Sequence, residues 1–151
     1  MEFAKSGRQL DGRLGLAELT RAGDLLVAAD LEYRLSGSVG RRGGFQLRLR
    51  LAGSVGLRCE RCLETVMLPI EQDSLFELRR SEGDIRPDDL LDDERDFLVF
   101  DRAMVVTDLV EDELILCIPV APKHTDCEPA GSMVKDEGRR QPFGVLASLK
   151  K

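Results

Sequence analysis

Four residues of this sequence have the chemistry and spacing of a metal centre. Cys59-Glu60-Arg61-Cys62 puts two thiols at the first and fourth positions of a short turn, and His124-Thr125-Asp126-Cys127 repeats the two-residue gap. Thiolate sulfur and imidazole nitrogen are preferred zinc ligands, and a closed Cys3His sphere is one of zinc's structural forms. Zinc held by Cys59, Cys62, His124 and Cys127 is therefore the one cofactor to expect. The plainer reading makes the first pair free thiols beside a turn and the second pair part of a polar exit loop, since a single C-x-x-C often means no more. Cys117 falls on the apolar stripe of an expected helix and reads as core filler. A thiol redox protein using Cys59 and Cys62 is the alternative function. Its context is unfavourable, because redox pairs of that type open a helix after a strand, where the dipole lowers the thiol pKa. This pair lies between two alternating runs.

A second set of residues could bind phosphate. Arg41, Arg42, Arg48, Arg50, Arg58 and Arg61 form the most basic stretch, and period two puts Arg48, Arg50 and Arg58 on one face. Such a row also suits an ordinary solvated strand face that blunts edge pairing. With 5% aromatic residues, a base-stacking platform is not evident. The opposite charge collects further on: residues 71–113 hold 16 acidic and 5 basic side chains, among them Asp88, Asp89, Asp92 and Asp93 as candidate contacts for a basic partner. No Ser/His/Asp set, glycine-rich phosphate loop or inward carboxylate pair is evident, and one histidine limits proton transfer. The expectation is a non-enzyme without a small-molecule substrate.

The elements that must position these groups follow from hydrophobic period. Leu25, Val27, Ala29, Leu31, Tyr33, Leu35 and Val39 alternate with polar residues, then Phe45, Leu47, Leu49, Leu51, Val55 and Leu57 do so after a Gly-rich break. A third run takes in Val66, Leu68, Ile70, Phe76 and Leu78, with Pro69 marking an edge or irregularity. Gly53 and Gly56 suggest bulges that bend the ribbon. Residues 16–21 could form a short helix, 84–96 an exposed acidic loop, and 97–100 a short strand. Val106, Leu109, Val110, Leu114 and Cys117 recur at helical spacing, and Asp108 with Glu111 reads as a capping box, giving a helix over 108–118. Pro119 and Pro122 stop it. Residues 126–140 read as a flexible stretch, and an apolar segment after Pro142 as a short helical one.

A chain of 151 residues with 42% hydrophobic and 33% charged side chains is expected to fold as a single domain over 1–151. No apolar run approaches the ~20 residues of a membrane span, and the start lacks a secretory signal, so a cytoplasmic protein without membrane contact is expected. The fold class expected is α+β: a bent antiparallel meander, with barrel-like closure as a variant, packed by one main helix and the short C-terminal helical segment.

Several segments, in order, resemble the YceD family, the large ribosomal RNA subunit accumulation proteins. They are Cys59-Glu60-Arg61-Cys62, the run Asp108-Leu109-Val110-Glu111-Asp112-Glu113-Leu114-Ile115-Leu116, Pro119-Val120-Ala121-Pro122, and Pro142-Phe143-Gly144-Val145-Leu146-Ala147-Ser148-Leu149-Lys150. The resemblance runs from the first alternating strand to the C-terminus. It implies a non-catalytic ribosome biogenesis factor that supports accumulation of the large-subunit rRNA. Relatives with a longer cysteine-rich C-terminal cluster look like metal binders, whereas this chain has His124 and Cys127 there; it also has Cys117 and Gly144 where alanine is more usual. Two partners fit the charge distribution: precursor rRNA or a pre-ribosomal particle, held through the arginines, and a basic ribosomal protein, held through the aspartates.

Overall fold

The computed structural model describes residues 1–40, 43–87, 89, 96–99 and 103–130. A short helix α1 (Glu2–Lys5) leads into strands β1 (Gln9–Gly15), β2 (Leu26–Val39), β3 (Phe45–Arg58) and β4 (Thr65–Arg79); β5 (Asp96–Val99) and helix α2 (Val106–Cys117) follow. The strands lie side by side in sequence order. β1 to β4 form an antiparallel meander, and β5 runs parallel to β4 over Phe76 to Arg79.

Two expectations are corrected here. The fold is mostly β, a five-stranded mixed sheet with one helix longer than a single turn among the described residues, so the α+β class does not hold. Strands of 14, 14 and 15 residues outweigh a 12-residue helix. The sheet is also open and mixed, with no barrel closure among the described residues. β1, which the interruptions at Gly12 and Gly15 hide, adds an edge strand. Gly12 yields its side-chain space to the Tyr33 ring, which a Cβ would meet at 2.5 Å. The expected C-terminal helical segment lies outside the described residues, as does most of the 84–96 loop.

Alternation carries the core. Leu14, Leu31, Leu35, Leu47, Leu49, Leu51, Val55, Leu57, Ile70, Phe76 and Leu78 point to one face of the sheet, and Leu109, Val110 and Leu114 of α2 join them in one cluster. The strand irregularity falls at Val27 in β2, between Leu26 and Ala28, and not in β3. Gly53 stays in register but has φ +142, and a Cβ there would collide with the Asp30 carbonyl oxygen. The expected helix over 16–21 is a 3-10 turn, Leu16–Glu18, whose Glu18 carboxylate accepts the Gly15 N–H at 2.8 Å.

Candidate metal centre and charged faces

The turn between β3 and β4 is tight. The Cys59 N–H donates to the Glu64 carbonyl at 2.8 Å and the Leu63 N–H to the Cys59 carbonyl at 2.9 Å, with Leu63 in the left-handed region at φ +67. The segment after α2 is laced onto this turn by backbone groups from both sides. The Glu60 N–H donates to the Pro122 carbonyl at 2.8 Å and the Ala130 N–H to the Arg61 carbonyl at 2.9 Å. The Arg61 guanidinium adds a bond to the Cys127 carbonyl at 3.2 Å. Pro119 and Pro122 end the helix and send the chain toward that seam.

The lacing brings the two pairs together. Cys59 Sγ lies 3.8 Å from Cys127 Sγ, Cys62 Sγ lies 3.3 Å from His124 Nδ1, and all four donor atoms fall within 4.8 Å of one another. His124 Nε2 is 3.1 Å from the Thr65 carbonyl. A carbonyl can only accept, so Nε2 carries the proton and Nδ1 presents its lone pair to the sulfurs. Zinc bonded at ~2.0–2.3 Å in a tetrahedron separates its ligand atoms by about 3.3–3.8 Å. The 3.3 and 3.8 Å separations match those edges, and three sulfurs with one imidazole form a donor set suited to zinc. Cys59 is fully buried. Backbone N–H groups of Cys62 and then Arg61 stabilise its thiolate and lower its pKa from the ordinary value to about 5. Burial first, and then the neighbouring sulfurs, push the Cys127 thiol up, a conflict that a divalent cation relieves.

The arginines have a different fate. Arg48 and Arg50 do share the exposed sheet face, but both are paired with Asp73: Arg48 in a two-pronged contact at 2.6 and 2.7 Å, Arg50 at 3.2 Å. Arg34 pairs with Asp11 at 2.6 Å and Arg13 with Asp30 at 2.8 Å. Cross-strand register sets two of these pairs directly opposite, since Asp11, Arg34, Arg50 and Asp73 form one row across four strands, while Arg48 reaches Asp73 and Arg13 reaches Asp30 diagonally. The guanidinium of Arg48 holds the Asp73 carboxyl below the usual carboxylate range, and Arg34 does the same to Asp11. Arg58 is exposed with no ion pair among the described residues. Arg61 serves the seam, and Arg41 and Arg42 lie outside the described residues. Of the arginines expected to bind phosphate, Arg48 and Arg50 are thus paired within the chain.

The acidic helix is also less exposed than its composition suggests. Glu111 is buried and accepts the Arg21 N–H at 2.8 Å and the Ala22 N–H at 3.2 Å. Arg21 reaches on to the Asp108 carbonyl at 2.7 Å and the Asp112 carboxylate at 2.9 Å. The expected capping box is absent: α2 begins at Val106, two residues before Asp108, so Asp108 lies within the first turn and Val105 at the cap position has no side-chain acceptor. Glu113 is buried too and accepts the Ser74 hydroxyl. Sequence reasoning missed the roles of Glu111, Glu113 and Ser74; a carboxylate at 113, on the apolar stripe between Val110 and Cys117, was the available signal. Of the aspartates expected to bind a basic partner, Asp89 accepts the Arg86 N–H at 3.1 Å, while Asp88, Asp92 and Asp93 lie outside the described residues.

Comparison with known proteins bears on the region that holds this architecture. No curated protein and no solved structure matches the chain. The family model described as "Large ribosomal RNA subunit accumulation protein YceD" matches residues 47–150. That span is more than two thirds of the sequence and includes both ligand pairs, Asp73, Ser74 and all of α2. On that match the chain belongs to the YceD family.

Proposed function

We propose that this protein supports accumulation of the large-subunit rRNA as a non-catalytic binding factor whose direct partner is a basic protein of that subunit. The family supplies the role in rRNA accumulation. The choice of a protein over RNA rests on one observation: of the three arginines expected on one face of β3, Arg48 and Arg50 are held by Asp73 and Arg58 alone is unpaired among the described residues, while Arg34 and Arg13 of the neighbouring strands are held by Asp11 and Asp30. Phosphate contact would have to break those pairs, whereas the net charge of -6 favours a cationic partner without any rearrangement. Zinc on Cys59, Cys62, His124 and Cys127 would serve structure, fastening the 122–130 segment to the β3–β4 turn and fixing the end of the sheet. Among the described residues no helix is long and apolar enough to cross a membrane, in keeping with action beside ribosomal particles in the cytoplasm.

Crosslinking in cells, with identification of both the RNA and the protein attached, tests the reading. The expected product is a basic large-subunit protein, with the crosslink unaffected when Arg48, Arg50 and Arg58 are replaced by glutamine. RNA attached through β3, and lost in that triple variant, would show that the phosphate backbone is the ligand instead.

A further inference from the structure

A cleft of about 420 Å³ opens between β4, β5 and α2, with Gln72, Ser74, Asp96 and Glu113 as its polar lining and Phe76 and Leu116 among its apolar walls. Glu113 is 8% exposed. Its Oε2 accepts the Ser74 hydroxyl, and Ser74 Oγ accepts the Gln72 amide at 3.0 Å. Oε1 has no hydrogen-bond donor among the described residues. No fully enclosed side-chain oxygen of those residues lacks a partner, so Oε1 is reachable from the cleft. No lysine or arginine among the described residues lines it.

The contrast with Glu111 is instructive. That carboxylate, buried more deeply still, has two backbone N–H groups and the Arg21 guanidinium. A buried carboxylate with neutral donors alone is under-compensated, and a cation entering the cleft would gain most of its Coulomb attraction without displacing an existing ion pair. Asp96 on the rim adds a second carboxylate. Leu116, 80% exposed beside the opening, is a lip of the kind that covers the methylene stem of a long cationic side chain.

We infer that this cleft is a socket for one lysine or arginine side chain of a basic polypeptide, its charged head on Glu113 Oε1 and Asp96 and its stem along Leu116 and Phe76. The inference rests on the basic-partner reading and gives that partner an anchor.

Fluorescence anisotropy on the full-length chain provides the test, with a short labelled peptide of lysine and arginine alternating with glycine and serine. The control peptide carries acetyl-lysine and citrulline at the same positions. Glu113→Gln, which keeps the Ser74 bond and removes the charge, should weaken the cationic peptide about tenfold, whereas Glu71→Gln, the same charge change on the exposed sheet face, should stay within about twofold. Asp96→Asn should weaken it by about threefold, and this variant stands in if Glu113→Gln melts below the wild type. Equal losses for Glu113→Gln and Glu71→Gln, or none for either, would remove the socket and leave the basic-partner reading standing. If the wild type binds no better to the cationic peptide than to its neutral control, both fall. Spermidine binding that is as sensitive to Glu113→Gln as the peptide would make the ligand a free polyamine and overturn the polypeptide assignment.

Discussion

The β3–β4 turn and the exposed face of the sheet lie on the same pair of strands, yet they treat their polar groups in opposite ways. On the sheet, strand pairing brings three carboxylates to four guanidiniums, with Asp73 serving two, and these charges are met inside the chain. At the turn, backbone lacing sets like beside like: three sulfurs and an imidazole nitrogen, all electron-pair donors, within 4.8 Å. Opposite charges in contact need nothing further, whereas grouped donors lower their free energy by sharing a cation. A cluster of chemically able residues therefore marks a ligand site when its members compete and a structural site when they complement one another.

The largest effect that should separate the two regions is metal removal. A strong chelator, or Cys62→Ser, should lower Tm by roughly 10 °C or more in a thermal melt, because the seam at Pro122 and Ala130 loses its fastening. Arg48→Gln should move it very little. Unchanged melting in chelator would erase the distinction between turn and sheet.

Next in size is Glu111→Ala, which leaves two N–H groups of the 21–22 turn unpaired and should cost about 2–4 kcal/mol in urea unfolding. Burial raises the Glu111 carboxyl, but the Arg21 and Ala22 N–H groups and the Arg21 guanidinium outweigh it, so the folded pKa lies below the ordinary value of 4.5. A carboxyl depressed on folding stabilises above its unfolded pKa, and that contribution fades as pH falls through the folded value. The gap between wild type and Glu111→Gln should therefore be full at pH 7 and shrink in acid, as urea melts at both pH values will read out.

Much of this architecture was legible because it depends on local period. The three long strands and α2 follow from alternation and from 3.6-residue spacing. The ligand pairs stood out because their gap repeats. What could not be read depends on pairing between distant residues. Nothing local tells that Asp73 lies opposite Arg50, that Glu111 reaches the 21–22 turn, or that β5 joins in parallel. The fold class failed for a related reason: an isolated helix looks like half an architecture until it is set against the total length of strand.

Asp73→Asn sharpens the comparison further down the scale. It should change stability by less than about 1 kcal/mol, since the pairs are half-exposed, yet retention on heparin should rise because Arg48 and Arg50 are released together. Unaltered retention would show that Asp73 is not what restrains them. The smallest effect should come from Leu63→Gly, which removes a left-handed strain of ~1 kcal/mol, partly offset by the entropy of the unfolded glycine chain. A measurable loss of stability would mean that the Leu63 side chain contributes packing.

The most direct measurement is cobalt substitution of the full-length protein, read by its visible and sulfur-to-metal charge-transfer absorption alongside metal content. One ion per chain in a tetrahedral field of three sulfurs and one nitrogen is predicted, with the sulfur bands weakened by Cys127→Ser and the field altered by His124→Ala. Binding well below one ion per chain, or a spectrum that ignores both of those substitutions, would contradict the joining of the two distant pairs into one centre.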